Sequence, residues 1–203
     1  MNSALFENNV TKKIAVIGAL GALTVLFGLL PIIGYIRLPW GLAITLLHIP
    51  TILGALIAGP VAGIGIGIIF GLTSLYQATQ SAGGLDILFV NPLISVLPRL
   101  LLGATVAYLF MLLVKIRLAK PVAAVVASVL STLLHTIYVS LALYIFAGSQ
   151  VSQLMGGAGL GAFILLLLPN AATEAVTAGI ICGAVASILF AIHTKKSKLS
   201  QEE

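Results

Sequence analysis

The sequence predicts an all-α membrane protein: six transmembrane helices in one compact bundle, both termini cytoplasmic. Three observations predict it. Of 203 residues, 60% are hydrophobic and only 7% charged, and the mean hydropathy is +1.21. A soluble domain carries roughly 25% charged residues, so this chain is built for lipid. Gly, Pro and charge then punctuate it into six apolar runs, at 14–34, 42–58, 60–77, 92–114, 121–147 and 163–192. An even number of spans puts both ends on one side. Lys12, Lys13, Lys115, Arg117, Lys120, Lys195, Lys196 and Lys198 all fall there, against Arg37 on the other. By the positive-inside rule that side is the cytoplasm. The expected organisation is a single domain over 1–203, with a cytoplasmic segment at 1–13 and a cytoplasmic tail at 193–203.

The first run follows a polar start, MNSALFENNVTKK. At about 21 residues it is longer than the apolar region of a signal peptide, and it reads as a retained helix. Within it AVIGALGA holds two offset small-residue pairs, Ala15 with Ala19 and Gly18 with Ala22. Such faces let backbones approach closely. Internal packing and an external contact surface both fit them.

The second and third runs lie near the lower limit of about 17 residues for a spanning helix. Only Gly59-Pro60 separates them, which predicts a tight helical hairpin. The third run places Gly59, Gly63, Gly67 and Gly71 at four-residue spacing, a helix-packing face. No GxGxxG follows Gly65 and Gly67 and no βαβ pattern surrounds them, so a dinucleotide loop is a poor reading.

The last three runs carry the chemistry. Asn91, Ser95 and Arg99 fall at i, i+4 and i+8 on the fourth. Ser128, Ser131, His135 and Tyr138 share one face of the fifth, and Asn170, Thr173, Glu174 and Thr177 one face of the sixth. An arginine inside a span costs at least ~2.5 kcal/mol. These stripes are therefore expected to face one another inside the bundle. By helical rise Arg99 lies ~10 Å below the outer start of its run, Glu174 ~16 Å, His135 ~18 Å and His48 ~9 Å. That clustering predicts a pocket open to the outside rather than a channel. Pro50, Pro98 and Pro169 sit beside these residues, and interrupted helices mark binding sites in transporters. Arg99 and Glu174 also fit a structural ion pair, His48 and His135 fit core histidines, and Tyr138 and Tyr144 fit packing. Two long Gly-rich outward loops, 78–91 and 148–161, suit lids or plain connectors.

Absences narrow the function. Cys182 is the one cysteine, which removes disulfide frameworks and CxxC sites. There is no phosphate-binding loop, no HExxH and no GxSxG, and no nucleophile with a partnered base. The basic surplus is topological, which sets nucleic-acid binding aside. The two halves show no obvious repeat like those of many secondary transporters. What is left is a small binder without an energy source of its own.

The length, the short second–third hairpin after LPWGLAITLLHIPTILGALIAGP, the NPLISVLPRLLLG segment and LPNAATEAVTAGI carry a resemblance over nearly the whole chain. The chain resembles the substrate-binding S components of energy-coupling factor vitamin transporters, most of all their pantothenate-specific members. The resemblance implies a subunit of the bacterial cell membrane that captures a vitamin from outside. It implies partners as well: a membrane T component and two ATP-binding cassette subunits, with ATP-Mg on those subunits and no cofactor or metal in this chain. The site it implies is Asn91, Ser95, Arg99, His135, Tyr138, Asn170 and Glu174, with Arg37 and Trp40 from the loop YIRLPW. The family's first-helix contact with the T component would fall on Ala15 and Ala19, or in the offset register on Gly18 and Ala22. Arg99 suits a carboxylate, while Asn, Ser, Glu and His suit hydroxyls and an amide, which favours pantothenate. Pyridoxine and a hydroxymethylpyrimidine are the alternatives within the family; a self-sufficient transporter or membrane enzyme is the alternative outside it.

Overall fold

A computed structural model describes residues 4–5, 9–30, 35–37, 43–81, 84–154, 156–157 and 159–202, with backbone alone for 35–37, 43–44 and 196–202. Helix α1 spans Val10–Leu29 and is capped by Asn9, whose side chain accepts from the Lys12 N–H. Only Gly21, Thr24 and Gly28 of α1 are buried, so it lies at the edge of the bundle. A short antiparallel pair follows, β1 (Tyr35–Arg37) with β2 (Ala43–Thr45). Then come α2 (His48–Ala58), α3 (Pro60–Thr79), a 3-10 turn at Asp86–Val90, α4 (Pro92–Ser95), α5 (Leu97–Lys115), α6 (Lys120–Leu154) and α7 (Leu160–Glu202).

Among the described residues five stretches are long and apolar enough to cross a membrane: Val10–Leu29, Pro60–Thr79, Pro92–Lys115, Lys120–Leu154 and Leu160–Lys195. The run 42–58 is not a sixth helix of that kind. Its amino-terminal part includes strand β2, and among its described residues the 11 of α2 are helical, ~16 Å against a hydrocarbon core of ~30 Å. The reason is burial. All 11 residues of α2 are buried, so protein rather than lipid surrounds its ends and satisfies the extended chain above it. Pro50 cannot donate to the Leu46 carbonyl, which the Ile49 N–H takes instead at 3.1 Å.

The Gly59-Pro60 hairpin is present, with Gly59 at φ 81° between α2 and α3, a left-handed setting that favours glycine. The glycine face of α3 does what its spacing implied. A methyl group at Gly63 would meet the Gly103 carbonyl, one at Gly67 the Arg99 carbonyl, and one at Gly71 the Val96 backbone. So α3 and α5 touch backbone to backbone over about two turns. On α7, Ala171 and Ala175 are buried, while Gly179 and Gly183 receive Val129 and Val125 of α6.

Two other expectations change. The loop at 148–161 is largely a continuation of α6, which bends at Ala147 (φ −142°, ψ 27°) and runs on to Leu154. Helix α7 outlasts the 163–192 run and continues to Glu202. The main core gathers α2, α5 and the inner ends of α6 and α7 around Ile52, Leu56, Leu102, Val106 and Phe110. A second, smaller core joins Ile94, Leu143, Ala147, Val151 and Phe163, with Leu88 and Phe89 against it.

Gly67→Ala is expected to lower stability by about 1–3 kcal/mol through overpacking against α5. Nothing lies within 4 Å of a methyl at Gly18, so Gly18→Ala is expected to leave stability unchanged or raised. Thermal unfolding of the two variants in detergent makes the comparison.

Candidate functional site

The site begins with a proline. Pro98 has no N–H, so the Ile94 carbonyl four residues earlier loses its helical donor. The Arg99 guanidinium supplies the replacement: Nη1 donates to the Ile94 oxygen at 2.9 Å. Arg99 is buried, and its guanidinium carbon stands 4.8 Å from the Phe89 ring centre and 5.4 Å from that of Phe70. Both distances suit cation–π attraction, which strengthens where water is excluded. Phe70 also lies 6.1 Å from the His135 ring. Phe89 belongs to the 3-10 turn of the loop at 78–91, so this loop reaches over Arg99.

The expected stripe at 91, 95 and 99 is not one continuous helix. Asn91 caps α4, accepting from the Leu93 N–H at 3.0 Å, and Ser95 donates back to the Asn91 carbonyl at 3.1 Å. The chain then restarts as α5 at Leu97. Asn91 and Ser95 thus set the geometry of the break that aims Arg99.

Glu174 organises the opposite wall. It is buried on α7, and its Oε1 accepts from the Thr45 N–H at 2.8 Å, the Thr45 hydroxyl at 2.6 Å and Asn170 Nδ2 at 3.3 Å. Strand β2 is thereby tied to α7, 129 residues away in sequence. His135 lies within electrostatic range of Arg99 and His48, and His48 within range of Glu174. So α2, α5, α6 and α7 all send polar groups to one place. Among the described residues several buried atoms have no hydrogen-bond partner: His48 Nε2, Thr51 Oγ1, Ser131 Oγ, His135 Nε2 and Asn170 Oδ1. A buried polar atom without a partner costs about 1–3 kcal/mol. Among the described residues no group of three His, Cys, Asp or Glu could hold a metal ion.

The model of one protein family, "ECF transporter, substrate-specific component", matches residues 12–189. The chain belongs to that family. Its apolar helices make it a multi-pass membrane protein. The pantothenate transporter PanT of Leuconostoc mesenteroides subsp. mesenteroides is 31% identical over 110 residues, 51% of this chain and 53% of that protein. The match thus spans about half the length of that relative.

The remaining expected residues that the structure describes lie on α6, β1 and α1. The Tyr138 hydroxyl is 3.1 Å from Thr105 Oγ1, joining α6 to α5. The backbone of Arg37 pairs with that of Ala43, and Trp40 lies outside the described residues. Ala15, Gly18, Ala19 and Ala22 are all exposed on one face of α1, away from the inward stripe Gly21, Thr24 and Gly28. The two offset registers are therefore one outward surface. Sequence reasoning missed Thr45, Phe70 and Phe89. Pro98 was the available signal for the Ile94–Arg99 contact, since it names the carbonyl it frees.

Arg99→Ala is expected to destabilise the fold by about 1–3 kcal/mol by stranding the Ile94 carbonyl. Adding Pro98→Ala returns a backbone donor, so the double variant should recover part of that loss. A double-mutant cycle of unfolding free energies tests this; purely additive effects would refute the link.

Proposed function

We propose that this chain is the subunit of a bacterial energy-coupling factor importer that captures pantothenate from outside the cell. Family membership and the pantothenate transporter among its relatives support the reading. The observation that carries it is Arg99, buried yet anchored to Ile94 and flanked by two aromatic rings in the polar cluster. A guanidinium presents five donors in a rigid fork suited to a carboxylate. Asn170 and His135 offer further polar atoms to hydroxyls and an amide. Both termini lie in the cytoplasm on this reading, as the distribution of lysines favours.

Capture and delivery are separate tasks. A T component and two ATP-binding cassette subunits, which carry ATP-Mg, would supply the energy. The exposed face of Ala15, Gly18, Ala19 and Ala22 is the proposed contact with the T component, because small residues allow close helix approach in lipid. The pocket residues Arg99 and Glu174 belong to other helices, so contact and capture use different surfaces.

The purified chain is expected to bind pantothenate and hydrolyse no ATP, with uptake only after the partner subunits are added. Losing a buried charge pair costs about 2–5 kcal/mol, so the analogue with a neutral amide for the carboxylate should bind at least about thirtyfold more weakly. Isothermal titration of both ligands, with pyridoxine and hydroxymethylpyrimidine as rivals, decides. Equal affinity for parent and analogue would remove the carboxylate anchor. Uptake by vesicles holding this chain alone would remove the importer-subunit reading.

Ala15→Trp or Ala19→Trp is expected to abolish uptake by the complete complex while binding stays within about twofold of wild type, since the bulk disrupts only an outward face. Binding and uptake falling together would place that face inside the bundle.

A further inference from the structure

Helix α2 ends, at its amino terminus, on the polar cluster rather than in a loop at the membrane surface. Its first residue, His48, is 2% exposed, and Thr51, one turn along on the same face, is 0% exposed. Among the described residues neither His48 Nε2 nor Thr51 Oγ1 has a hydrogen-bond partner. On α6, Ser131 is 0% exposed with an unpartnered hydroxyl, one turn below His135, whose Nε2 is equally without a partner. The other buried hydroxyls of α6 are satisfied: Ser128 donates to Ala124, Thr132 to Ser128 and Ser140 to Thr136. Among the described residues the orphaned hydroxyl and imidazole groups thus belong to α2 and α6.

Chemistry limits what they would take. Neutral imidazole and hydroxyl groups each donate and accept. The helix amino terminus favours negative charge, but Glu174 stands within electrostatic range of His48 and opposes an anion. A neutral group with both donor and acceptor character fits these facts. We infer that His48 and Thr51 at the start of α2, together with Ser131 and His135 of α6, form a pocket floor that binds a hydroxyl of the ligand, leaving its carboxylate to Arg99. This rests on the vitamin-binding reading above and adds α2 to the recognition surface.

The test uses near-isosteric variants. Thr51→Val and Ser131→Ala remove hydroxyls that lack partners, so each should leave the empty protein as stable as wild type or more so. Each should nonetheless weaken pantothenate binding about tenfold. Against a pantothenate analogue lacking both hydroxyls, wild type and variants should bind alike. Unchanged pantothenate affinity in both variants, or an equal loss against parent and analogue together with a lowered melting temperature, would overturn the floor. Pyridoxine or hydroxymethylpyrimidine replaces pantothenate if wild type prefers it. Wild type binding none of the three would overturn the vitamin-binding reading itself, and the floor with it.

Discussion

One hydrogen bond organises the polar half of this molecule: Arg99 donating to the carbonyl that Pro98 releases. In lipid an unpaired carbonyl and a buried guanidinium are each costly, and each is the remedy for the other. The bond also fixes direction. An arginine side chain has several rotatable bonds, and tying Nη1 to Ile94 while Phe70 and Phe89 flank the group leaves it few of them. The charge is therefore placed before any ligand arrives, which reduces the ordering cost of binding.

That arrangement depends on the neighbouring helix. The glycines of α3 bring it against the α5 backbone at Val96, Arg99 and Gly103, and this approach sets Phe70 beside the guanidinium. A bulkier α3 would move its own aromatic ring and the α5 backbone apart together. Packing and electrostatics are one design at this point: small residues buy proximity, and proximity gives the ring its hold on the charge.

Much of this was legible in the residues. The four-residue glycine spacing announced a close helix contact without naming α5 as its partner, and Gly59-Pro60 announced the hairpin. Arg99 and Glu174 were visible because charge is so rare in this chain. What stayed hidden has a common cause. Thr45 ties to Glu174 across 129 positions, and no local pattern encodes a pairing at that distance. The run 42–58 is apolar enough to imitate a span, because a segment sheathed in protein and one bathed in lipid need the same side chains. Hydropathy reports the solvent avoided, not the neighbour chosen. Asn91 and Ser95 kept helical spacing although the chain breaks between them and Arg99, since a proline at the first turn of a new helix looks the same as one inside an old one.

The wholly buried α2 has a consequence for how the protein is made. A helix of 11 residues is too short to settle across a bilayer by itself, and no face of it is left for lipid. During synthesis it can enter the membrane only as the leading arm of a hairpin, carried by α3 through the Gly59 turn. Its burial must then wait for α5 and α7, which are translated later and close around it. Assembly of the amino-terminal third is thus completed by the carboxy-terminal third, and a chain truncated before α7 would expose α2 to whatever quality control patrols the membrane.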